Sequence, residues 1–353
     1  MAGPPALEWS LTSAKAIELR IGELRIGIKL FRHESNEGSV FLKKYLDHLR
    51  YGRLQLSMLV FLGLIAGVQY WVGWKSVLAP WQQLSLDQIT VAVLLVLLSY
   101  VVRTVRLVAF FGVELKGRFP VALRLTLIHN LWNNLLPTVG ELSFPILMQR
   151  YFTISPTRSL PALLWFRVMD LYAILLLVVL SLMLHRDSWW LTALLVALLT
   201  LAIPLIYRWL PTSIGYFEHK STGGLKEKLR KLREALPTSW RVLVLSSWWT
   251  LVNWPLKLMT FAWIIQQFVA INFGQSLLGA IGGELTSVLP INGIVGAGTY
   301  EAGVVAALLP AEIGYQEALT AAVNLHLFLL SCTLLSGVLS CLLPGTRPAG
   351  KYA

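Results

Sequence analysis

The sequence predicts an all-α polytopic integral membrane protein, with about six full crossings and two re-entrant or broken-helix hairpins in a pattern consistent with an inverted repeat. Three observations lead there. The chain of 353 residues is 56% hydrophobic and 14% charged, against about 45–50% and about 25% in soluble domains. Its mean hydropathy is +0.64, and its apolar residues gather in runs long enough to cross ~30 Å of hydrocarbon. Two of those runs are interrupted by Leu-Pro followed by glycine, as in discontinuous membrane helices. A soluble globular, disordered or fibrous chain is excluded.

Residues 1–53 carry nine Lys/Arg and six Asp/Glu and lack an apolar core. They are expected to form a cytoplasmic amphipathic segment rather than a cleaved signal peptide. Ile17, Ile21, Leu24, Ile28 and Phe31 recur at helical spacing, which predicts a basic surface helix over Leu11–Phe31. A loosely ordered tail is the bland alternative.

The membrane domain is expected over 54–343, followed by a cytoplasmic tail over 344–353. Leu54–Trp74 and Gln88–Phe111 read as the first two crossings. Phe119–Leu136 is interrupted by His129, Asn130, Asn133 and Asn134, breaks at Pro137 and Gly140, and resumes over Leu142–Phe152. Leu160–Leu184 and Trp189–Trp209 are further crossings, and Trp240–Ala270 is a longer one kinked by Pro255. Phe273–Leu289 ends at Pro290, a stretch with Gly293, Gly296 and Gly298 follows, and Ala302–Leu309 resumes the apolar pattern. Ala318–Leu343 is the last crossing. The hairpins thus lie near 119–152 and 273–309.

Charge orients these elements. The segment Arg208–Arg241 holds eight Lys/Arg against three Asp/Glu and is placed inside by the positive-inside rule. Lys116–Arg118, Arg150–Arg158 and both termini go to the same side. Parity then makes the two hairpins enter from opposite faces. The net charge of +12 sits mostly outside the apolar runs, so anionic headgroups explain it better than nucleic acid. Cys332 and Cys341, nine apart in one apolar run, read as small buried hydrophobes.

Ionisable groups at bilayer depth cost roughly 2.5–3.5 kcal/mol or more, so the few present single themselves out. Glu141 and Glu301 follow the two breaks, where they either cap a broken helix or form a cation, proton or headgroup site. Glu284 lies inside an apolar arm and is expected to function or to pair with a buried base; Lys257, next to Pro255, is a candidate partner for Glu284 or for Glu301. Arg167 and Asp170, three apart on one helix face, either pair locally or reach the first hairpin or a phosphate. Arg150 anchors the cytoplasmic side or meets a phosphate. Arg103 and Arg106 are expected to snorkel to the inner interface. Asn130, Asn133, Asn134 and Asn292 flank the breaks, where amides satisfy freed backbone groups or bind headgroup oxygens. His129, His185 and His326 show no metal spacing, and Walker, G-x-S-x-G and dinucleotide signatures are missing.

The pattern Asn130…Asn134-Leu-Leu-Pro137-Thr-Val-Gly140-Glu141, then Arg150, Phe166-Arg167-Val-Met-Asp170-Leu, and later Leu289-Pro290…Gly293…Gly296…Gly298…Tyr300-Glu301 resembles the flippase-like family of the lysylphosphatidylglycerol synthase transmembrane region. The resemblance covers roughly Gln55 to Leu343. It implies lipid translocation between leaflets, with Glu141, Arg167, Asp170 and Glu301 at a central polar site. Thr138 and Ser143-Phe144-Pro145 stand where many members carry arginines. The soluble aminoacyl-transferring domain of the synthase is expected to be absent, and aminoacylation with it.

The expected function is therefore flipping of a polar-headed lipid or lipid-linked envelope precursor across the bacterial cytoplasmic membrane, through a midplane cavity. Its substrate-binding groups would come from Asn133, Asn134, Glu141, Arg150, Arg167, Asp170, Lys257, Glu284, Asn292 and Glu301. No catalytic residue, metal or cofactor is expected, and the expected partners are lipid or a lipid-linked substrate and envelope biosynthetic enzymes rather than nucleic acid. A membrane-embedded headgroup-modifying enzyme and a non-catalytic subunit of an envelope complex are the alternatives.

Overall fold

A computed structural model describes residues 62–345 apart from 64–65, 71–72, 184–188, 235, 238 and 289–293, together with the backbone of 11–12, 16–21 and 24–29. Most of the expected first crossing, His185, Asn292 and most of the tail lie outside the described residues. The chain divides into two units, Met1–Leu56 and Ser57–Ala353.

In the N-terminal unit the structure departs from the expected helix. Strands β1 (Leu11–Thr12), β2 (Ala16–Ile21) and β3 (Leu24–Lys29) form an antiparallel sheet, with Ile17 opposite Ile28 and Ile21 opposite Leu24. The physical reason is legible in the chain. Ile17, Leu19 and Ile21, and again Leu24, Ile26 and Ile28, also alternate with period two, and Gly22 is costly inside a helix.

The second unit is helical. Its helices are α1 (Trp74–Leu78), α2 (Leu86–Phe111), α3 (Phe119–Leu135), α4 (Pro137–Phe152), α5 (Pro156–Met183) and α6 (Trp189–Lys220). They continue as α7 (Gly223–Glu234), α8 (Trp240–Gln266), α9 (Phe273–Val288), α10 (Thr299–Leu308) and α11 (Tyr315–Leu342). Among the described residues, four segments are long and apolar enough to cross a membrane: Leu86–Leu115, Pro156–Ser181, Ala193–Lys220 and Tyr315–Leu342. Helix α8 matches them in length at 27 residues but carries Lys257 in its interior. The apolar stretch of α6 buries nothing against the rest of the chain, and Leu194, Leu198, Leu201 and Leu205 stand exposed along it. In a membrane protein such a face meets lipid.

Both expected hairpins are present as helix pairs. Helices α3 and α4 have 17 and 16 residues, so each is about 24–26 Å long at 1.5 Å per residue, short of the ~30 Å hydrocarbon core. Proline at 137 displaces its predecessor from the helical region, and Leu136 sits at φ −141°, ψ 83°. A Cβ on Gly140 would lie 2.2 Å from the Cα of Asn133, so only glycine lets the second arm fold back this closely. Arg118 closes the base of the hairpin by donating to the Tyr151 carbonyl at 2.7 Å.

The second pair, α9 and α10, has 16 and 10 residues. Gly282 and Gly303 meet back to back, and a Cβ on Gly282 would fall 2.3 Å from the Gly303 carbonyl oxygen. Small residues allow this close approach, as in membrane helix pairs generally. Helix α11 packs beside both pairs. Asn324 on it accepts from Trp81 Nε1 at 2.7 Å and donates to the Val77 carbonyl at 2.8 Å, which ties α1 and the turn after it to the bundle.

Candidate functional site

The first hairpin packs against α2 and α5, and each of the three elements turns polar residues toward the others. On α3, His129 and Asn133 are four apart; on α2, Arg103 and Arg106 are three apart; on α5, Arg167 and Asp170 are three apart. These spacings put each pair on one helix face. The faces enclose a cavity of about 500 Å³ of empty space, part of it open to the surroundings.

At its floor Asp170, 3% exposed, is salt-bridged to Arg106, 4% exposed. Trp254 Nε1 donates to the same carboxylate oxygen at 2.9 Å, and Arg106 also donates to Thr250 Oγ1 at 3.2 Å. One carboxylate therefore joins α2, α5 and α8. The local Arg167–Asp170 pair is not formed, because Asp170 is already occupied by Arg106. Arg167 turns instead to the first hairpin, donating to Asn133 Oδ1 at 2.8 Å and lying 3.9 Å from Glu141 Oε1. Arg103 donates to Asn130 Oδ1 at 3.2 Å. His129 Nδ1 contacts Ser143 Oγ at 3.1 Å, and that hydroxyl donates to the Gly140 carbonyl at 2.6 Å.

One expectation is corrected here, and one of two alternatives is closed. Arg103 and Arg106 do not snorkel outward; they line the cavity, because their helix face is turned to Asn130 and Asp170. Glu141 does not cap α4, which shows no side-chain cap bond; it stands in the second turn, with its side chain 52% exposed. Arg150 is exposed in the last turn of α4 and is not part of the cavity lining. A cation there suits the helix C-terminus.

Around the cavity three guanidinium groups face one carboxylate. Of the lining donors, Arg167 Nε is buried with no hydrogen-bond partner. An unspent donor and surplus positive charge fit an acceptor-rich guest such as a phosphate, which guanidinium groups bind through paired N–H donors.

A second cavity, with about 360 Å³ of empty space, part of it open to the surroundings, lies between the end of α3 and the start of α10, lined by Asn133, Asn134, Ser287, Val295, Gly296, Tyr300 and His326 among others. Asn133 borders both cavities. Asn134 donates to Thr333 Oγ1 on α11 at 2.8 Å. Glu301 caps α10, accepting from the Gly298 N–H at 2.7 Å, and its other oxygen contacts His326 Nδ1 at 2.7 Å. Capping and a polar partner thus coexist at Glu301, whereas sequence spacing offered them as alternatives. His326 was dispersed in the sequence and gave no signal.

Lys257 and Glu284 form a buried ion pair at 2.7 Å, with the ammonium also over the rings of Trp254 and Phe261. The pair joins α8 to α9 and lines neither cavity. Among the described residues no group of three or more His, Cys, Asp and Glu is placed to hold a metal ion.

The family model for the lysylphosphatidylglycerol synthase TM region matches residues 56–337, which include both hairpins and both cavities. No curated protein and no solved structure matches the chain.

Proposed function

The chain belongs to the family of the lysylphosphatidylglycerol synthase transmembrane region, and from that premise we propose that it moves a phosphate-bearing lipid, or a lipid-linked envelope precursor, between the leaflets of the bacterial cytoplasmic membrane. Both termini would be cytoplasmic, by the distribution of Lys and Arg.

The observation that carries the proposal is the buried cavity with Arg103, Arg106 and Arg167 against Asp170. Charge this deep is costly in lipid and is kept where it serves a polar path. In the proposed cycle the headgroup enters beside the first hairpin and its phosphate replaces Asn133 as partner of Arg167. The acyl tails stay in lipid along the exposed apolar faces. Arg106 is held by buried Asp170, so it acts as a fixed positive wall, while Arg167, hydrogen-bonded to a neutral amide, 3.9 Å from the exposed Glu141 carboxylate and with Nε free, is the guanidinium able to change partners. The two short helix pairs, closed on glycine, supply the elements that rearrange between inward and outward access. The alternative of headgroup chemistry rests on the contact of His129 Nδ1 with Ser143 Oγ at 3.1 Å, but that hydroxyl donates to the Gly140 carbonyl and Ser143 is not among the residues that line the cavity.

The test is translocation in proteoliposomes with radiolabelled lipids bearing zwitterionic, anionic, aminoacylated and polyprenyl-phosphate headgroups, with wild type and Glu141→Ala. Movement of one phosphate-bearing class by wild type, with altered rate in Glu141→Ala, is expected. Product formation by purified protein in detergent, without movement in vesicles, would overturn translocation in favour of an enzyme.

A further inference from the structure

We propose that Glu301 and His326 form a proton site that couples lipid movement to proton movement across the membrane; the coupling rests on the translocation proposed above, the proton site does not.

The starting point is a count of hydrogens. His326 Nδ1 lies 2.7 Å from Glu301 Oε1, and its Nε2 lies 2.9 Å from the Val295 carbonyl oxygen. A carbonyl oxygen and an ionised carboxylate are acceptors only, and a neutral imidazole has one N–H. With a neutral ring and an ionised Glu301, one of the two contacts would set lone pair against lone pair. The geometry therefore requires one more proton on the pair. Glu301 Oε2 already accepts from the Gly298 N–H at the start of α10, where the helix dipole favours the anion. The proton belongs on His326, giving an imidazolium that donates to both partners.

The surroundings leave the ring to that pair. The ionisable side chains in contact with it are Glu301 and Tyr300, whose ring centroid is 4.6 Å away. On the other helices packed against α11, Arg124 is bound to the Leu343 carbonyl, His129 to Ser143, Arg103 to Asn130 and Lys257 to Glu284.

The proton has a structural consequence. Val295 adopts φ 61°, ψ 4°, a left-handed conformation that a β-branched residue holds only when its surroundings impose it. The contact of His326 Nε2 with its carbonyl at 2.9 Å holds this residue in place. When the proton passes to water in the second cavity, the pair goes from net neutral to net negative and one of the two contacts breaks. Either the Val295 carbonyl is released, or α10 loses its hold on α11. His326 and Val295 line the same cavity as Asn133 and Asn134 of the first hairpin. Asn133 is the present partner of Arg167, so the proton and the headgroup bear on the same residue from its two sides.

The experiment uses the full chain in vesicles containing a pH-sensitive dye, with the membrane potential clamped and a pH difference imposed, while labelled phosphate-headed lipid is followed in parallel. Wild type and the exposed-site control His219→Gln are expected to move protons, and to move lipid faster when the pH difference is present. His326→Gln, which keeps polar atoms but cannot hold the proton, is expected to lose proton movement and the acceleration, leaving downhill lipid movement at most. Glu301→Gln is the second variant should the first not fold. Nitrogen-15 spectra of histidine-labelled protein provide a readout free of transport: His326 is expected to carry hydrogen on both ring nitrogens. Proton movement dependent on His326 without lipid movement would keep the proton site and discard lipid translocation. A neutral His326 ring, or lipid movement with no proton movement in any vesicle, would overturn the proposal.

Discussion

Asp170 accepts from two donors on two other helices, so its replacement has a calculable consequence. In Asp170→Asn the side chain keeps its shape, but the salt bridge to Arg106 is lost. Arg106 is 4% exposed, and Thr250 Oγ1 is its remaining hydrogen-bond partner outside the carboxylate. Breaking a buried pair by removing one partner costs ~3–5 kcal/mol, because the other charge stays buried. With a midpoint shift of about 2–4 °C per kcal/mol for a domain near this size, the thermal midpoint should fall by about 6–20 °C. The assay is thermal unfolding in one detergent at fixed protein concentration, followed by far-ultraviolet circular dichroism. A companion variant separates orphaned charge from simple loss of contact. Adding Arg106→Gln to Asp170→Asn removes the stranded guanidinium and should recover part of the loss, so the double variant is more stable than the sum of the two singles implies. A midpoint for Asp170→Asn within 2–4 °C of wild type, about 1 kcal/mol on the same scale, would refute the assignment of this pair as the junction of α2, α5 and α8.

Three further outcomes follow from the packing. Gly282→Ala should destabilise by ~1–3 kcal/mol through overpacking, since its new methyl would meet the Gly303 carbonyl at 2.3 Å; Gly224→Ala, with nothing within 4 Å, should be neutral or slightly stabilising in the same melting assay. Lys257→Met leaves Glu284 as a buried charge, 2% exposed, and should cost ~3–5 kcal/mol; Glu284→Gln added to it should restore part of the midpoint. Arg150→Ala should leave the initial rate of lipid movement unchanged, because Arg150 is exposed and outside both cavity linings.

The features readable in sequence were those set by local chemistry. The Leu136-Pro137 break follows from the missing N–H and the clash of the proline ring, and the arms on either side are short because each break stops a helix. That Lys257 needs a carboxylate partner was accessible because a charge in an apolar run has few other ways to be buried, but sequence offered Glu284 and Glu301 alike and the packing chose Glu284. Glu301 as a helix cap came from its position after a glycine-rich break. What sequence did not yield were partners chosen by tertiary contact. Arg106 and Asp170 are 64 residues apart, and an arginine near the end of an apolar run looks the same whether it snorkels or turns inward. His326 sits in an unbroken apolar helix, and its partners come from residues 25 and 31 positions away. The N-terminal strands were misread because the same isoleucines and leucines satisfy both the helical and the alternating period.

The most direct test of the central claim is leaflet-resolved movement of one phosphate-headed fluorescent lipid by wild type and Arg167→Ala in matched vesicles. An impermeant quencher added outside reports how much lipid reaches the outer leaflet with time. Wild type is expected to expose lipid beyond the initial outer-leaflet fraction, and Arg167→Ala, equally folded and equally incorporated, is expected to lose most of that rate. Equal rates for the two proteins would contradict a cavity in which Arg167 holds the headgroup as it crosses.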